Sequence, residues 1–541
     1  MNNSNGGRVR RTLRWTCLFF LTLGCLPQGK ISASNPSSEA GSNPDQASIV
    51  STCSSPIRPV DVSSPTTVVG TGAGASCTEQ ALDEAIRIGG IITFNCGGNA
   101  TIQLTSEKEL RTDVDTTIDG LGQITLDGNG STRLFHFEGP DFRRTGTTVS
   151  FQNIALINGA ATGTPIPEYP NEPPQCSRGF QADGAGAAIW IRDGVLHVYN
   201  TLFQDNHAAP LGPDVAGGAI YGLGAREVVV VRSRFVNNSA SNGGAIGALN
   251  TDVTVINSTF TQSAALGHDA NNWDPDCPDE ESGSGGNGGA IYVDGGFDLT
   301  DVFCGNTFSG SRGGENALGG AIFRAADDGT QVTTIDQCTF DGNYSPLGGA
   351  LYFHNTNLQI SKSTFANNTA VIGGSLQADG TLLTVENSTF FNSQTSGPWG
   401  AIALFDGRGD LRNCTFVGNR ADFSPIVPDF ADVTIENSIF LGNVAIGGNT
   451  DCDYTSAGSG NVQWPDPGRN DPNSLSGCVL GVSIGDPQAG DLGNHGGPTR
   501  TFLPAPSGSA AGSGTSCPEV DQRNLPRSNR NACTAGSVEV Q

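Results

Sequence analysis

Positive charge is scarce in this 541-residue chain. Lys and Arg together number 28 against 53 Asp and Glu, and Lys occurs only at Lys30, Lys108 and Lys362. A formal charge of −25 argues against nucleic acid or an anionic membrane as partner. It is compatible with calcium, with basic partners, or with an acidic surface that is merely solvated. Long helical patterns are missing, apart from one short amphipathic stretch near the start. No cysteine lies in a C-x-x-C metal pair, and His268 and His354 lack ligand-spaced partners, so no transition-metal site is expected. What is abundant is Gly, at 75 residues, with 26 Phe among Asn, Thr, Ser and scattered Val and Ile. That mixture suits many short strands broken by tight turns.

The first 33 residues read as a removable signal peptide. Arg8, Arg10, Arg11 and Arg14 form a basic region, 17–26 is apolar, and Ile31-Ser32-Ala33 offers a small-residue cleavage site. The apolar run is too short to span a bilayer as a helix, so no membrane span is expected in the mature chain. Gly24-Cys25 also hints at a lipoprotein site, although Thr22-Leu23 fits that pattern poorly. Losing Arg8, Arg10, Arg11, Arg14 and Lys30 and no acid moves the charge from −25 to −30. The sequence places the protein outside the cell, secreted or on a bacterial outer surface. Twelve of the 14 Cys then remain, an even set that reads as a disulfide framework. Spacing favours Cys77–Cys96, Cys452–Cys478 and Cys517–Cys533, with Cys277–Cys304 as a fourth pair. Cys338 and Cys414 share one slot of a repeat and read as small buried residues.

That repeat governs most of the chain. A Gly-Gly-Ala-Ile step stands at Gly217-Gly218-Ala219-Ile220 and again at 243–246, 288–291, 319–322, 348–351 and 373–376, with a variant at 400–402. A Phe-x-x-Asn step stands at Phe203/Asn206, Phe235/Asn238, Phe340/Asn343, Phe365/Asn368, Phe416/Asn419 and Phe440/Asn443. A period of about 25 residues signals a solenoid whose units bury their apolar faces only against neighbours. The expected fold is all-β, a right-handed single-stranded parallel β-helix. The stretch 77–89 supplies a helix to cap its open end. Stacked turns place an Ile column (Ile189, Ile220, Ile246, Ile291, Ile322, Leu351) inside, and Asn257, Asn387, Asn413 and Asn437 in structural left-handed turns. Boundaries follow: 1–33 signal peptide, 34–65 a Ser-, Pro- and Asn-rich disordered tether, 66–449 the β-helix, 450–541 a C-terminal module.

The Gly-Gly-Ala-Ile and Phe-x-x-Asn steps resemble the repeats of chlamydial polymorphic outer-membrane proteins over about 186–445, which implies a right-handed parallel β-helix. The barrel that ends those proteins has no counterpart here. Residues 450–541 resemble the choice-of-anchor Q region of bacterial surface proteins. That resemblance rests on Asp491 through Thr501 (Asp-Leu-Gly-Asn-His-Gly-Gly-Pro-Thr-Arg-Thr), Asp521-Gln522-Arg523, Pro526-Arg527 and Cys533, and departs from the family at Asn524 and at 534–539.

Two function classes compete. The first is a non-enzymatic surface or matrix protein for adhesion, with a polysaccharide or surface glycan as partner. Its candidate ligand residues are Trp190, Tyr221, Tyr292, Phe323 and Tyr352, one position after the Ile column. If Ile points inward, alternation turns this stripe outward, where sugar C–H faces can stack on it. The opposite reading buries the aromatic face, and Arg324, which the Ile phase points inward, favours that reading. The second class is a polysaccharide lyase or glycoside hydrolase of the pectin-lyase-like fold, with Arg324, Asp327 and Asp328 as the candidate catalytic grouping. No cofactor is required. Calcium is the one metal considered, with Asp274, Asp276 and Asp279 of an acidic loop as candidate ligands.

Overall fold

The computed structural model describes residues 53–167, 178–270, 283–422, 432–445, 456–465, 479 and 481–541. Its strands are parallel and stack by turns, as the repeat predicts. Ten of them form one ladder, from Lys108–Glu109 through Ile189–Arg192, Ile220–Leu223 and Ile291–Asp294 to Ile402–Phe405. Its register pairs Ile220 with Ile189 and Ile246, and Ile291 with Ile322. This Ile ladder is one wall of a parallel β-helix.

Two further walls follow in each turn. A middle ladder contains strands such as Val195–Tyr199, Glu227–Val231 and Asp252–Ile256, and a Phe ladder contains Leu202–Gln204, Arg234–Val236 and Thr259–Thr261. Near the start the two are fused in the long strands Thr116–Asp127 and Thr148–Ile157. Later turns separate them with a left-handed residue, which Asn adopts at low cost because its short side chain bonds locally. Asn257, Asn387, Asn413 and Asn437 have φ of 51°, 48°, 50° and 52°.

The lumen is closely packed and periodic. Phe203, Phe235, Phe260, Phe308, Phe340, Phe365, Phe390, Phe416 and Phe440 stack with centroids 4.7 to 5.5 Å apart. Aromatic pairs left to themselves prefer offset or edge-on geometry. Here the strand spacing of about 4.8 Å dictates the stack. Beside it runs an amide ladder: the Asn206 side chain donates to Asn238 Oδ1 at 3.0 Å, and Asn343 to Asn368 and Asn419 to Asn443 repeat the bond.

The expected capping helix, α1, spans Glu79–Ile88. Thr78 Oγ1 accepts from the Ala81 N–H, Gly89 ends the helix at φ 76°, and Leu82, Ala85 and Ile86 are buried. The buried ammonium of Lys108 ties α1 to the first turns through Glu79 at 2.5 Å and Asp83 at 2.8 Å.

Three expectations change. Residues 53–65, assigned to a disordered tether, lie as a strap along the middle ladder. Cys53 exchanges bonds with the Asn257 side chain, Ile57 packs against Val229, Val231 and Ile256, and Val60 bonds Gln152. Cys304 is disulfide-bonded to Cys53, 251 residues away, and not to Cys277. The ladder also runs past 449, through Val462–Trp464 to Ser483–Ile484. Cys77–Cys96 and Cys517–Cys533 form as expected, and Cys338 and Cys414 are free and buried. Cys452 and Cys478 lie outside the described residues. No described helix is long and apolar enough to cross a membrane.

Candidate functional site

The aromatic stripe sits on the outer face of the Ile ladder, as alternation requires. Register stacks Trp190, Tyr221, Gly247, Tyr292, Phe323 and Tyr352, with His136 before them and Gln377 after. Tyr292, Phe323 and Tyr352 are parallel, with centroids 5.2 and 5.7 Å apart. Outward does not mean exposed, however. Trp190 is 7% exposed, Tyr221 1%, Phe323 6% and Tyr352 8%, and only Tyr292 is half-buried. Ala185, Ala209, Val215 and Ala216 cover the first rings, and Leu318 packs on the later ones. The expectation of an open stripe is therefore corrected. Segments entering each Gly-Gly step fold back over the rings and make them a second core outside the lumen, because apolar rings left in water would forfeit burial.

Two tyrosine hydroxyls on this face are paired locally, whereas the buried Trp190 Nε1 and Gln377 Oε1 have no hydrogen-bond partner among the described residues. The Tyr292 hydroxyl donates to Asp294 at 2.8 Å, and the Tyr352 hydroxyl donates to Asp379. Burial raises both carboxyls above the usual aspartate range despite those bonds. Asp294 and Asp379 stand three turns apart, about 14 Å at the strand spacing. The two carboxylates of a glycosidase stand roughly 5–10 Å apart.

The catalytic grouping expected around Arg324 does not assemble. Arg324 is 1% exposed and points inward, its Nε bonded to the fully buried Asp301 at 2.7 Å and its Nη2 to Gln331. Asp327 and Asp328 are exposed. Asp328 is a turn former, accepting from the Thr330 N–H and hydroxyl at 3.0 and 2.7 Å. The calcium candidates Asp274, Asp276 and Asp279 lie outside the described residues. Elsewhere Glu107, Glu109 and His136 bring ligand atoms within 4.8 Å of one another. Glu107 is committed to Arg133 at 2.7 Å and Glu109 to His136 Nδ1 at 2.9 Å.

An open site exists that the periodicity did not reveal. Phe142, Arg143, Arg144 and Phe297 line a cleft of about 490 Å³ on the outside of the helix. Phe297 is 48% exposed, and the two rings lie 6.0 Å apart, tilted by 46°. The loop that carries Phe142 is held by Asp193, whose buried carboxylate accepts N–H bonds from Asp141, Arg144 and Thr145 at 3.2, 2.8 and 2.9 Å. Burial opposes ionisation of Asp193, and those bonds outweigh it, so its carboxyl is held below the usual range. Arg143, in the left-handed region at φ 58°, donates to Asn250 O and to Asp252 at 2.9 Å, and lies 5.5 Å from the Phe297 centroid. One sequence signal was available: outside 1–33, adjacent arginines occur only at Arg143-Arg144.

No protein-family model matches this chain, and no curated protein does. Among solved structures, that of PfbA, a surface adhesin of Streptococcus pneumoniae, aligns over 77% of this chain and 99% of that one. The identity is 13% and the TM-score 0.38. A likeness at that level carries no argument about fold or function, which rest on the observations above.

Proposed function

We propose that this is an exported β-helix protein of the cell surface or extracellular matrix that serves adhesion by binding carbohydrate. The observation that carries the reading is the Phe142–Phe297 cleft. There an exposed ring, Phe297, meets the half-buried Phe142 on the wall of the solenoid, and a buried carboxylate holds the loop that carries Phe142. An exposed ring with polar neighbours suits sugars, whose C–H faces bury apolar area while their hydroxyls stay hydrogen-bonded. The disulfides Cys53–Cys304, Cys77–Cys96 and Cys517–Cys533 fit an oxidising compartment.

The test is retention on immobilised polysaccharides, assayed together with release of reducing or unsaturated sugar ends, with and without calcium. Saturable retention without new ends is expected. Release of ends would overturn the reading in favour of a lyase or hydrolase.

A further inference from the structure

We propose that the ligand of the Phe142–Phe297 cleft is an acidic saccharide, a chain bearing carboxylate or sulfate groups, with Arg144 supplying the countercharge. This inference rests on the carbohydrate reading above and narrows it to a class of sugar.

The charge pattern points there. The cleft is lined by two adjacent guanidinium groups and no carboxylate, in a chain where acids outnumber bases by 53 to 28. Of the two only Arg143 is ion-paired, and that pairing fixes the wall of the cleft: its guanidinium joins Asp252 to the Phe297 ring. Arg144 is bound through its backbone to Asp193, while its side chain is exposed and has no ion pair among the described residues. Arg226, also exposed and unpaired among them, reaches over the same loop. Its Nη1 lies 3.8 Å from where a β-carbon on Gly146 would stand. Arg144 on the loop and Arg226 beside it, neither of them ion-paired among the described residues, attract an anion, and the planar fork of Arg matches a carboxylate or sulfate in two-point contact.

Shape points to a sugar. Rings tilted by 46° form an angled floor and not a parallel slot for a flat aromatic ligand. The cleft is open, which suits a polymer passing across it. Asp193 and Asp252 hold the loop before any ligand arrives, which lowers the ordering cost of binding.

Calorimetry on the whole chain tests this with a short oligouronate, its methyl ester, a sulfated oligosaccharide and a neutral glucan. Either acid should bind, the uronate and sulfate arms identifying which anion is preferred. The methyl ester and the glucan should bind about tenfold more weakly or less, the loss expected for one charge-assisted contact. Arg144→Ala and Phe297→Ala should each weaken the acid by about tenfold with an unchanged melting temperature, and added salt should weaken it further. Equal affinity for acid and ester would overturn the acidic class and leave the carbohydrate reading standing, whereas binding indifferent to both substitutions would overturn the cleft as the site of either. Failure to bind any saccharide would overturn both.

Discussion

At the scale of single residues, placement relative to the lumen decides what a charge can do. Arg324 and Asp301 form an ion pair with side chains 1% and 0% exposed. Such a pair adds little net stability over a packed apolar one, yet removing one partner strands the other in low dielectric. Arg324→Met should therefore cost about 3–5 kcal/mol in chemical denaturation, and adding Asp301→Leu should recover much of that loss. Asp379 behaves in the opposite sense to a salt-bridged acid. Burial raises its folded pKa, so the fold binds the proton more tightly than the unfolded chain, and its ionisation lowers stability as pH rises past the ordinary aspartate range. Asp379→Asn, which keeps an acceptor for Tyr352, should melt higher than the native chain at pH 7. The difference should shrink below about pH 4, where the aspartate is protonated in both states. A constant difference across pH would refute the assignment.

At the scale of elements, the cap and the strap do what the repeats cannot. A stack of identical turns leaves an open core and an unpaired edge at its end. Helix α1 closes it, and Lys108 holds the helix down through Glu79 and Asp83. Burial alone would raise the Glu79 carboxyl. Bonds from Lys108 and Thr105 outweigh it and bring the pKa from 4.5 down to about 2. A depressed carboxyl stabilises the fold above its unfolded pKa and loses that contribution as pH falls. Glu79→Gln should thus lower the melting temperature at pH 7, and the gap should close between pH 4.5 and about 2. At the other end, residues of the C-terminal module are built into the outer side of the helix. Gln522 bonds Thr364 and Thr389, Arg527 bonds Asn387, and Thr515 bonds Asn437. The left-handed Asn column thus serves twice, as a turn former and as a docking row for the strap at Asn257 and the module at Asn387, Asn413 and Asn437.

At the scale of the whole molecule, the repeating parts were the most legible and most long-range, non-repeating contacts were not. The Ile and Phe columns recur at a fixed period, and stacking converts period directly into contact, so lumen, ladders and left-handed turns followed from the residues. α1 was legible from its amphipathic pattern. The Cys53–Cys304 bond was not, because local spacing favours short loops and says nothing of a strap that doubles back along the helix. The stripe's outward phase was legible, but its cover was not. Val215 and Leu318 belong to segments outside the strands; the slot before each Gly-Gly step recurs, with Leu318 bridging Leu347 and Leu347 bridging Ile372, but Asn242 and Asn287 stand in it too, so no continuous apolar column marked the cover. Phe142 and Phe297, on separate non-repeating loops, showed no sign in the sequence of meeting. The two aromatic sets therefore differ in place: the stripe is core, and the cleft is the proposed binding site. Phe323→Ala and Phe297→Ala, each measured for melting temperature and for saccharide retention, test that division most directly. Phe323→Ala should lose about 3–5 kcal/mol of stability and retain saccharide while folded, whereas Phe297→Ala should keep its stability and lose retention. The reverse pattern would contradict the account.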